Sequence, residues 1–539
     1  MQKILVLNGP NLNMLGVRER EVYGEGTLAE LDQLVMEHGR LHGVAVTCFQ
    51  SNSESGLVDA IHAAMNRYDG IVFNPGAFTH YSYALRDAVA SVDVPVVEVH
   101  LSDIANREWF RRISVVAPAC VAQVKGLGAQ GYCDAIDLLC DGGRLEPLGE
   151  GSRNIASDFA NEVDAADVAH TAATRAEAVR EACGQQGMRG ILVRDTSNIR
   201  WITAIDGVFD AERAHALLVS DGVLRLHTDS RYSNAVRAAV KRAGSSLAVD
   251  DGRKSHAQFA HEAFSPLCAG EGEAGRLGIE DSITYAEYLK MEERFTADAL
   301  KPTTDLVLGL RAVKDANEIV RLKAAQAITD AAFCHIVKFM RPGMTEREVQ
   351  LELENFMVRH GAEGLAFSSI VATGANGADP HAIPGETRLQ AGHCVVIDFG
   401  AKAFGYCSDM TRTVFLGEPT GAMLNAWETL RLANETVEAA LKPGMTGAQA
   451  HQMAERVLDE GGFGGKMGHG LGHGVGIDIH ELPVLSPRND APLQEGNVVT
   501  VEPGIYLPGE FGMRLEDCGV ITSSGYDPFT QSTHDLVVI

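Results

Sequence analysis

The chain has 539 residues, 45% of them apolar, and a formal net charge of -26. That length needs about three domains. No apolar run approaches a membrane span, and the negative balance argues against nucleic-acid and anionic-membrane partners, which need basic surface. Ten cysteines without CxxC spacing read as thiols of a reducing compartment, and the short apolar run at 1–9 has no cleavage-like site after it, so a cytoplasmic location is expected.

In residues 1–146 strand-like and helix-like patterns alternate. KILVLNG (3–9), VAVTCFQ (44–50), GIVFNPG (70–76) and PVVEVHL (95–101) are apolar runs of strand length, and VAQVKG (121–126) is a weaker fifth. Thr27 and Glu30 make a capping box that opens a helix with Leu28, Leu31, Leu34 and Val35 on one face. Further helical patterns lie around 57–67, 79–92 and 106–112, and one closes the segment. Five β/α units imply a parallel sheet with helices on both faces. Such a sheet places a ligand just past its strand ends, and the polar residues gather there: Asn8 and Asn11, Ser51 and Asn52, Asn74 and His80, then Glu98, His100 and Ser102. Arg18 and Tyr23 lie on a glycine-flanked segment suited to close as a lid.

The blocks NGPNLNMLGVRE..VYG (8–24), QSN.E (50–54), NPGAFTH.S.ALRDA (74–88) and VEVHLS....RE.FR (97–111) resemble the signature blocks of type II 3-dehydroquinate dehydratase, in order and spacing, over residues 1–140. The resemblance implies a flavodoxin-like five-stranded parallel sheet and a dodecamer built from trimers. It also implies loss of water from 3-dehydroquinate through an enolate, without cofactor, in the shikimate pathway of aromatic amino acid biosynthesis. The proton removed lies beside a ketone and is weakly acidic, so a tyrosinate favoured by a nearby cation suits the task. By resemblance Tyr23 is that base, Arg18 its activator, and Asn11 stabilises the enolate. His100, oriented by Glu98, protonates the leaving hydroxyl. Asn74, His80 and Arg111 hold substrate hydroxyls, the backbone amides of Leu101 and Ser102 take the carboxylate, Arg107 belongs to the same pocket, and Asp87 reaches a neighbouring subunit's site. Arg20 stands where the family has Pro, Ser55 and Gly56 where it has Gly and Glu, Asp103 for Asn, and Ala105 for His. Asp103 puts a negative charge beside the expected carboxylate site, so substrate affinity is the property it bears on.

Residues 147–170 are acidic and rich in small residues and read as a tether, flexible or partly helical. Residues 171–308 begin a second α/β domain: a helix, the strand GILV (190–193), a hairpin across Asp221 and Gly222, and a strand at 277–282. SNIRWIT and TDSRY resemble the N-terminal domain of creatinase, prolidase and aminopeptidase P proteins. Members of that family lend residues to a partner's site, and on this resemblance Trp201 or Tyr232 would line a substrate path.

In residues 309–539 a long amphipathic helix covers 313–340, and Thr345 with Glu348, then Thr446, open two more. Residues 392–416 read as two strands joined near Phe404 and Gly405, carrying Asp398 and Asp409; 498–507 and 513–522 are a last pair, carrying Glu502 and Glu516. The stretch GHGLGHGVGIDIHE (468–481) offers three imidazoles, His469, His473 and His480, among glycines that let backbone come close to what they hold. Four carboxylates and one imidazole suit two divalent ions of the manganese, cobalt or iron kind.

Together with PHAIPG (380–385), IDFGA, SDMTRT, VEPGIY and MRLED, this stretch resembles the pita-bread α+β metallopeptidases: Xaa-Pro dipeptidase, aminopeptidase P and methionine aminopeptidase. By resemblance Asp398 holds one metal, Asp409 and Glu516 bridge two, and His473 and Glu502 hold the other. Glu502 or Glu516 is the proton shuttle, His381 and His480 contact the scissile carbonyl, Arg514 supports the metal carboxylates, and His469 is a further substrate-side residue. Some dipeptidases carry an arginine four residues after the second substrate histidine; Val484 stands there. The expected activity is therefore an aminopeptidase acting on peptides with proline at the second position, with a dipeptidase as the alternative. The expected whole is a bifunctional enzyme, the peptidase half of which would favour dimers. Two competing readings are a C-terminal part that only binds peptides and a first domain that is only an assembly platform.

Overall fold

The computed structural model describes residues 3–16, 26–41, 44–65, 67–101, 114–126, 128–140, 154–164, 167–210, 212–268 and 275–539. The chain forms two compact units, Met1–Arg153 and Asn154–Ile539.

In the first unit β1 (Lys3–Asn8), β2 (Ala45–Gln50), β3 (Gly70–Asn74), β4 (Val96–His100) and β5 (Ala122–Lys125) make one parallel sheet in the order β2-β1-β3-β4-β5. This is the flavodoxin-like order. Alternation along β1 divides its side chains between two cores. Ile4 and Val6 pack with Leu31, Val35, Tyr132 and Ile136, whereas Leu5 and Leu7 pack with Leu57, Ile61 and Leu85. Burial on both faces is why the strand reads as an unbroken apolar run, and each such side chain contributes about 1.5–3 kcal/mol. The capping box forms: Thr27 N–H donates to Glu30 Oε2 at 2.8 Å and Glu30 N–H to Thr27 Oγ1 at 3.3 Å. The helical pattern at 79–92 splits into a 3-10 turn, Gly76–His80, and a helix, Tyr83–Ala90. Ser82 restarts it by accepting the Leu85 N–H at 3.0 Å. The helix expected at 106–112 lies outside the described residues.

The second unit begins with chain that the sequence pattern assigns to the tether. Ile155–Phe159 forms a 3-10 turn and Ala160–Asp164 a short helix. Ala156 is buried in the same core as Ile328, Phe333 and Ile336 of the long helix Ala316–Phe339. A mixed six-stranded sheet follows, with Gly190–Val193 between Leu277–Glu280 and Ala216–Ser220. Its hairpin Ala216–Ser220 to Val223–His227 turns on Gly222, whose φ is 64°.

The remaining strands hold the carboxylates, and they are more broken than expected. Residues 392–416 make four short strands: Cys394–Phe399, Ala401–Ala403, Tyr406–Cys407 and Met410–Phe415. A Cβ on Gly400 would stand 1.9 Å from Ser408 O, so the hairpin closes too tightly there to stay regular. The last pair also divides: Val498–Val501 pairs with Asp517–Thr522, and Gly504–Leu507 pairs with Phe511–Arg514 as a separate ribbon. Asp409, Glu502 and Glu516 sit at these breaks. Among the described residues no helix is long and apolar enough to cross a membrane.

Candidate active sites

In the first unit the register sets Asn8 beside Gln50 on one side and Asn74 on the other. Asn11 follows in the left-handed region, at φ 66°, where Asn is tolerated. Its N–H donates to Asn52 Oδ1 at 2.9 Å, and Gln50 Nε2 donates to the same oxygen at 2.9 Å. Asn74 Nδ2 donates to Tyr132 Oη at 2.8 Å. His80 ends the 3-10 turn, Leu101 follows β4, and Asp87 is exposed on the helix Tyr83–Ala90. Arg18, Tyr23, Ser102, Arg107 and Arg111 lie outside the described residues, as do Arg20, Asp103 and Ala105.

Glu98 and His100 are both buried, and His100 Nε2 lies 2.9 Å from Glu98 Oε1. Thr79 Oγ1 also donates to Oε1, Ser114 Oγ lies 2.9 Å from both carboxylate oxygens, and Gln123 Nε2 donates to Oε2 at 2.9 Å. Burial alone would raise the Glu98 carboxyl, but hydrogen bonds from His100, Thr79 and Ser114 outweigh it and hold the carboxyl below the usual glutamate range. A buried carboxylate kept ionised in this way fixes the orientation of the His100 ring. Thr79, Ser114, Gln123 and Tyr132 were missed by the sequence reading. Thr79 alone had a signal, standing beside His80 in the NPGAFTH block.

In the second unit a cavity of about 710 Å³ is lined by Asp398, Asp409, His473, Glu502, Glu516, His381, His469, His480 and Arg514. The expected ligand and substrate-side residues of 309–539 therefore line one cavity. His473 Nε2 lies 3.5 Å from Asp409 Oδ2 and 3.4 Å from Glu502 Oε1. Ligand atoms of Asp409, His473 and Glu516 all fall within 4.8 Å of one another. The glycines work by close approach: a Cβ on Gly472 would stand 2.1 Å from Thr500 O, and one on Gly474 2.4 Å from Leu482 O. Those contacts draw His473 in against the carboxylate strands.

Arg514 is the cation of the cluster. Its Nη2 donates to Asp398 Oδ2, its Nε to Thr411 Oγ1 at 2.9 Å, and its Nη1 to Tyr506 Oη at 2.8 Å. Thr411 in turn donates to Glu516 Oε2 at 2.7 Å. His469 Nε2 lies 3.0 Å from Tyr506 Oη, which ties the third imidazole to the same arginine. Tyr506 and Thr411 lie inside the quoted GIY and SDMTRT motifs without having been singled out. His480 is exposed and its ring packs edge-on to His473, centroids 4.3 Å apart. Its turn is pinned from behind: Arg311 donates to Asp478 Oδ2 at 2.8 Å and to Glu481. Trp201 is buried, its Nε1 donating to Glu318 Oε1 at 3.1 Å, and Tyr232 Oη donates to Asp210 at 2.5 Å. Neither lines this cavity.

The donor set fits divalent cations. Burial, then the neighbouring carboxylates, push Asp409 and Glu516 well above the usual acid range, and burial raises Glu502. Burial also pulls His469, His473 and His480 below the usual imidazole value, which suits neutral nitrogen ligands. Asp398 Oδ1 and Glu516 Oε1 are buried with no hydrogen-bond partner among the described residues. Oxygen-rich acids with orphaned lone pairs are what hard cations satisfy.

Carboxylates and an imidazole gathered at strand breaks around one cavity define a metal-dependent hydrolase, and the Asn, His and Glu cluster past the parallel sheet is a second, separate site. The chain belongs to two families: the class II dehydroquinases, matched over residues 2–140, and the M24 metallopeptidases, matched over 320–523 behind a creatinase/prolidase N-terminal domain at 175–313. The second family implies divalent metal ions. The first unit is 56% identical over 141 residues to the 3-dehydroquinate dehydratase of Anoxybacillus flavithermus, covering 26% of this chain and 95% of that one. The rest is similar to the solved Xaa-Pro dipeptidase from Bacillus anthracis, at 36% identity and a TM-score of 0.63, over 68% of this chain and 100% of that one. It is also similar to the X-Pro aminopeptidase from Thermotoga maritima, at 31% identity and a TM-score of 0.58, over 67% of this chain and 100% of that one.

Proposed function

We propose that the first unit dehydrates 3-dehydroquinate to 3-dehydroshikimate and that the second hydrolyses the Xaa–Pro bond at peptide N-termini. The observation that carries the peptidase reading is the pair of buried, partnerless oxygens, Asp398 Oδ1 and Glu516 Oε1, in a five-ligand set. Asp398 would hold one ion, Asp409 and Glu516 both, and His473 and Glu502 the other. Manganese suits so oxygen-rich a set, with cobalt or iron as alternatives. When bound, the ions supply Lewis acidity for the attacking water and the scissile carbonyl. Glu502 or Glu516 accepts the water's proton and returns it to the departing prolyl nitrogen. His381 and His480 hold the carbonyl oxygen while it carries charge, and Arg514 keeps Asp398 in place. Val484, on the cavity wall, offers no charge to a dipeptide's carboxylate, which supports the aminopeptidase; likeness to the Bacillus anthracis dipeptidase supports the alternative.

In the dehydratase, Tyr23, kept ionised by Arg18, removes the proton beside the ketone, Asn11 steadies the enolate, and His100 gives its proton to the departing hydroxyl while Glu98 balances the imidazolium. Asn74, His80, Arg107, Arg111 and the amides of Leu101 and Ser102 hold the substrate. Asp87, exposed on its helix, would serve a neighbouring subunit in a trimer-based assembly. The thiol-only cysteines among the described residues support a cytoplasmic setting.

The test is assay of the purified chain with 3-dehydroquinate and with a panel of Xaa-Pro peptides, with and without manganese. Enone absorbance independent of metal and peptide cleavage dependent on it are expected. Peptide binding without cleavage at any metal concentration would leave only a peptide-binding module.

A further inference from the structure

Two cations line the peptidase cavity among the described residues, Arg514 and Arg347. Arg514 is committed to Asp398, Thr411 and Tyr506. Arg347 is not. It is exposed, its guanidinium makes one hydrogen bond, Nη1 to Gln350 Oε1 at 3.3 Å, and no carboxylate pairs with it among the described residues.

Its position is nevertheless fixed. Arg347 N–H donates to Gly385 O at 3.1 Å, Glu346 N–H to Thr387 O at 3.0 Å, and Gly385 N–H to Glu346 Oε2 at 3.2 Å. The first turn of the helix Glu346–Arg359 is thus stitched to the segment that follows His381. Gln350 is held in turn, its Nε2 donating to Ser369 O at 3.2 Å and to Glu354 Oε1 at 3.0 Å. Ser369 precedes Ile370, which faces Asp398 across the sheet, and neighbouring strands stand about 5 Å apart. Ser369, Gln350 and Arg347 therefore lead from the metal carboxylates outward along one wall.

The wall gives the cavity an electrical direction. With Asp398, Asp409, Glu502 and Glu516 taken up by the ions and by Arg514, a substrate's free carboxylate has no side-chain cation other than Arg347 to meet on this wall among the described residues. Arg347 is the site on the wall where that carboxylate finds an uncommitted partner, and a guanidinium can take it with two parallel hydrogen bonds. We propose that Arg347, presented by Gln350, is a specificity-determining residue that captures the free C-terminal carboxylate of short Xaa-Pro substrates. The enzyme then favours free-acid di- and tripeptides over blocked ones, even though Val484 supplies no charge. This rests on the Xaa-Pro peptidase reading.

The test compares Ala-Pro and Ala-Pro-Ala with their C-terminal amides on the manganese-loaded full chain, as wild type, Arg347→Met and Arg347→Lys. Arg347→Met should raise KM for the free acids about tenfold while leaving kcat and the amide kinetics within about twofold, and Arg347→Lys should restore part of the loss. Calorimetric titration of the chelator-treated chain with Ala-Pro should show the same weakening, absent with the amide. Equal effects on acid and amide, or none on either, would overturn the proposal alone. No cleavage of any Xaa-Pro peptide by the wild type would overturn the peptidase reading and the proposal with it.

Discussion

The phenol of Tyr132 donates a 2.7 Å hydrogen bond to Asn8 Oδ1 across 124 residues of sequence, and it accepts one from Asn74 Nδ2 at 2.8 Å. One buried hydroxyl thus sets the amides at the ends of two adjacent strands of the first unit. Burial of this phenol pushes its pKa far up, so it acts as a neutral donor.

Tyr132→Phe should leave both amides short of a partner in a buried place, at a cost of about 1–3 kcal/mol. We expect the thermal transition of the first unit to fall and the dehydratase KM to rise, since Asn74 is a substrate-holding residue in our reading. Calorimetry of the full chain and steady-state kinetics check this; an unchanged KM would make Tyr132 purely a packing residue.

Glu98 gives a pH prediction. Its carboxyl is held below the ordinary value of 4.5 in the folded state. Its charge therefore stabilises the fold above that value, and the contribution is lost as pH falls through the lower folded value. Glu98→Gln should be less protected than the parent at about pH 7, with the difference closing as pH falls below the lowered folded value. Hydrogen exchange of the β3 and β4 amides would read this, and a difference that grows on acidification would refute it.

Thr411 offers a test of the peptidase site that leaves every expected ligand in place. It links Glu516 Oε2 to Arg514 Nε. Thr411→Val should weaken metal affinity about 10–100-fold, measured by calorimetric titration, while Thr411→Ser should retain it.

The two sites should fail separately. Tyr23→Phe is expected to abolish the enone signal and spare peptide cleavage, and Asp409→Ala or His473→Ala to do the reverse. Chelation should match the second pattern. Loss of both activities from any of these in folded protein would mean the sites are not independent.

What the sequence made legible follows from how each element is buried. β1 reads as a strand because Ile4, Leu5, Val6 and Leu7 are all covered, and the parallel sheet follows from the alternation of such runs with helical patterns, whereas the order of its strands came only with the family resemblance. The metal carboxylates were legible as residue types but not as strand breaks. Asp409, Glu502 and Glu516 interrupt stretches that read as continuous strands, and at Asp409 the interruption goes with the close backbone contact of Gly400 against Ser408. Thr79, Ser114 and Gln123 meet at Glu98 only through tertiary packing, and of the three only Thr79 stands in a recognisable block, NPGAFTH. Tyr132 carries no local mark of its hydroxyl's role, because its ring packs as an apolar helix position does. Nothing local in the sequence sets Arg347 apart from other helix cations.

The packed segment at 154–164 bears on where this chain can be divided. Family likeness in the second half starts at residue 175, yet Ile155 N–H already donates to His360 O at 2.9 Å and Ala156 fills a place in the peptidase core. A gene cut to the family boundary would deprive the hydrolase of a side chain it uses to close its own interior. One cut just before Asn154 would take that piece along, so the economical scissor point lies some twenty residues upstream of where homology alone would set it, by the subtraction 175 − 154.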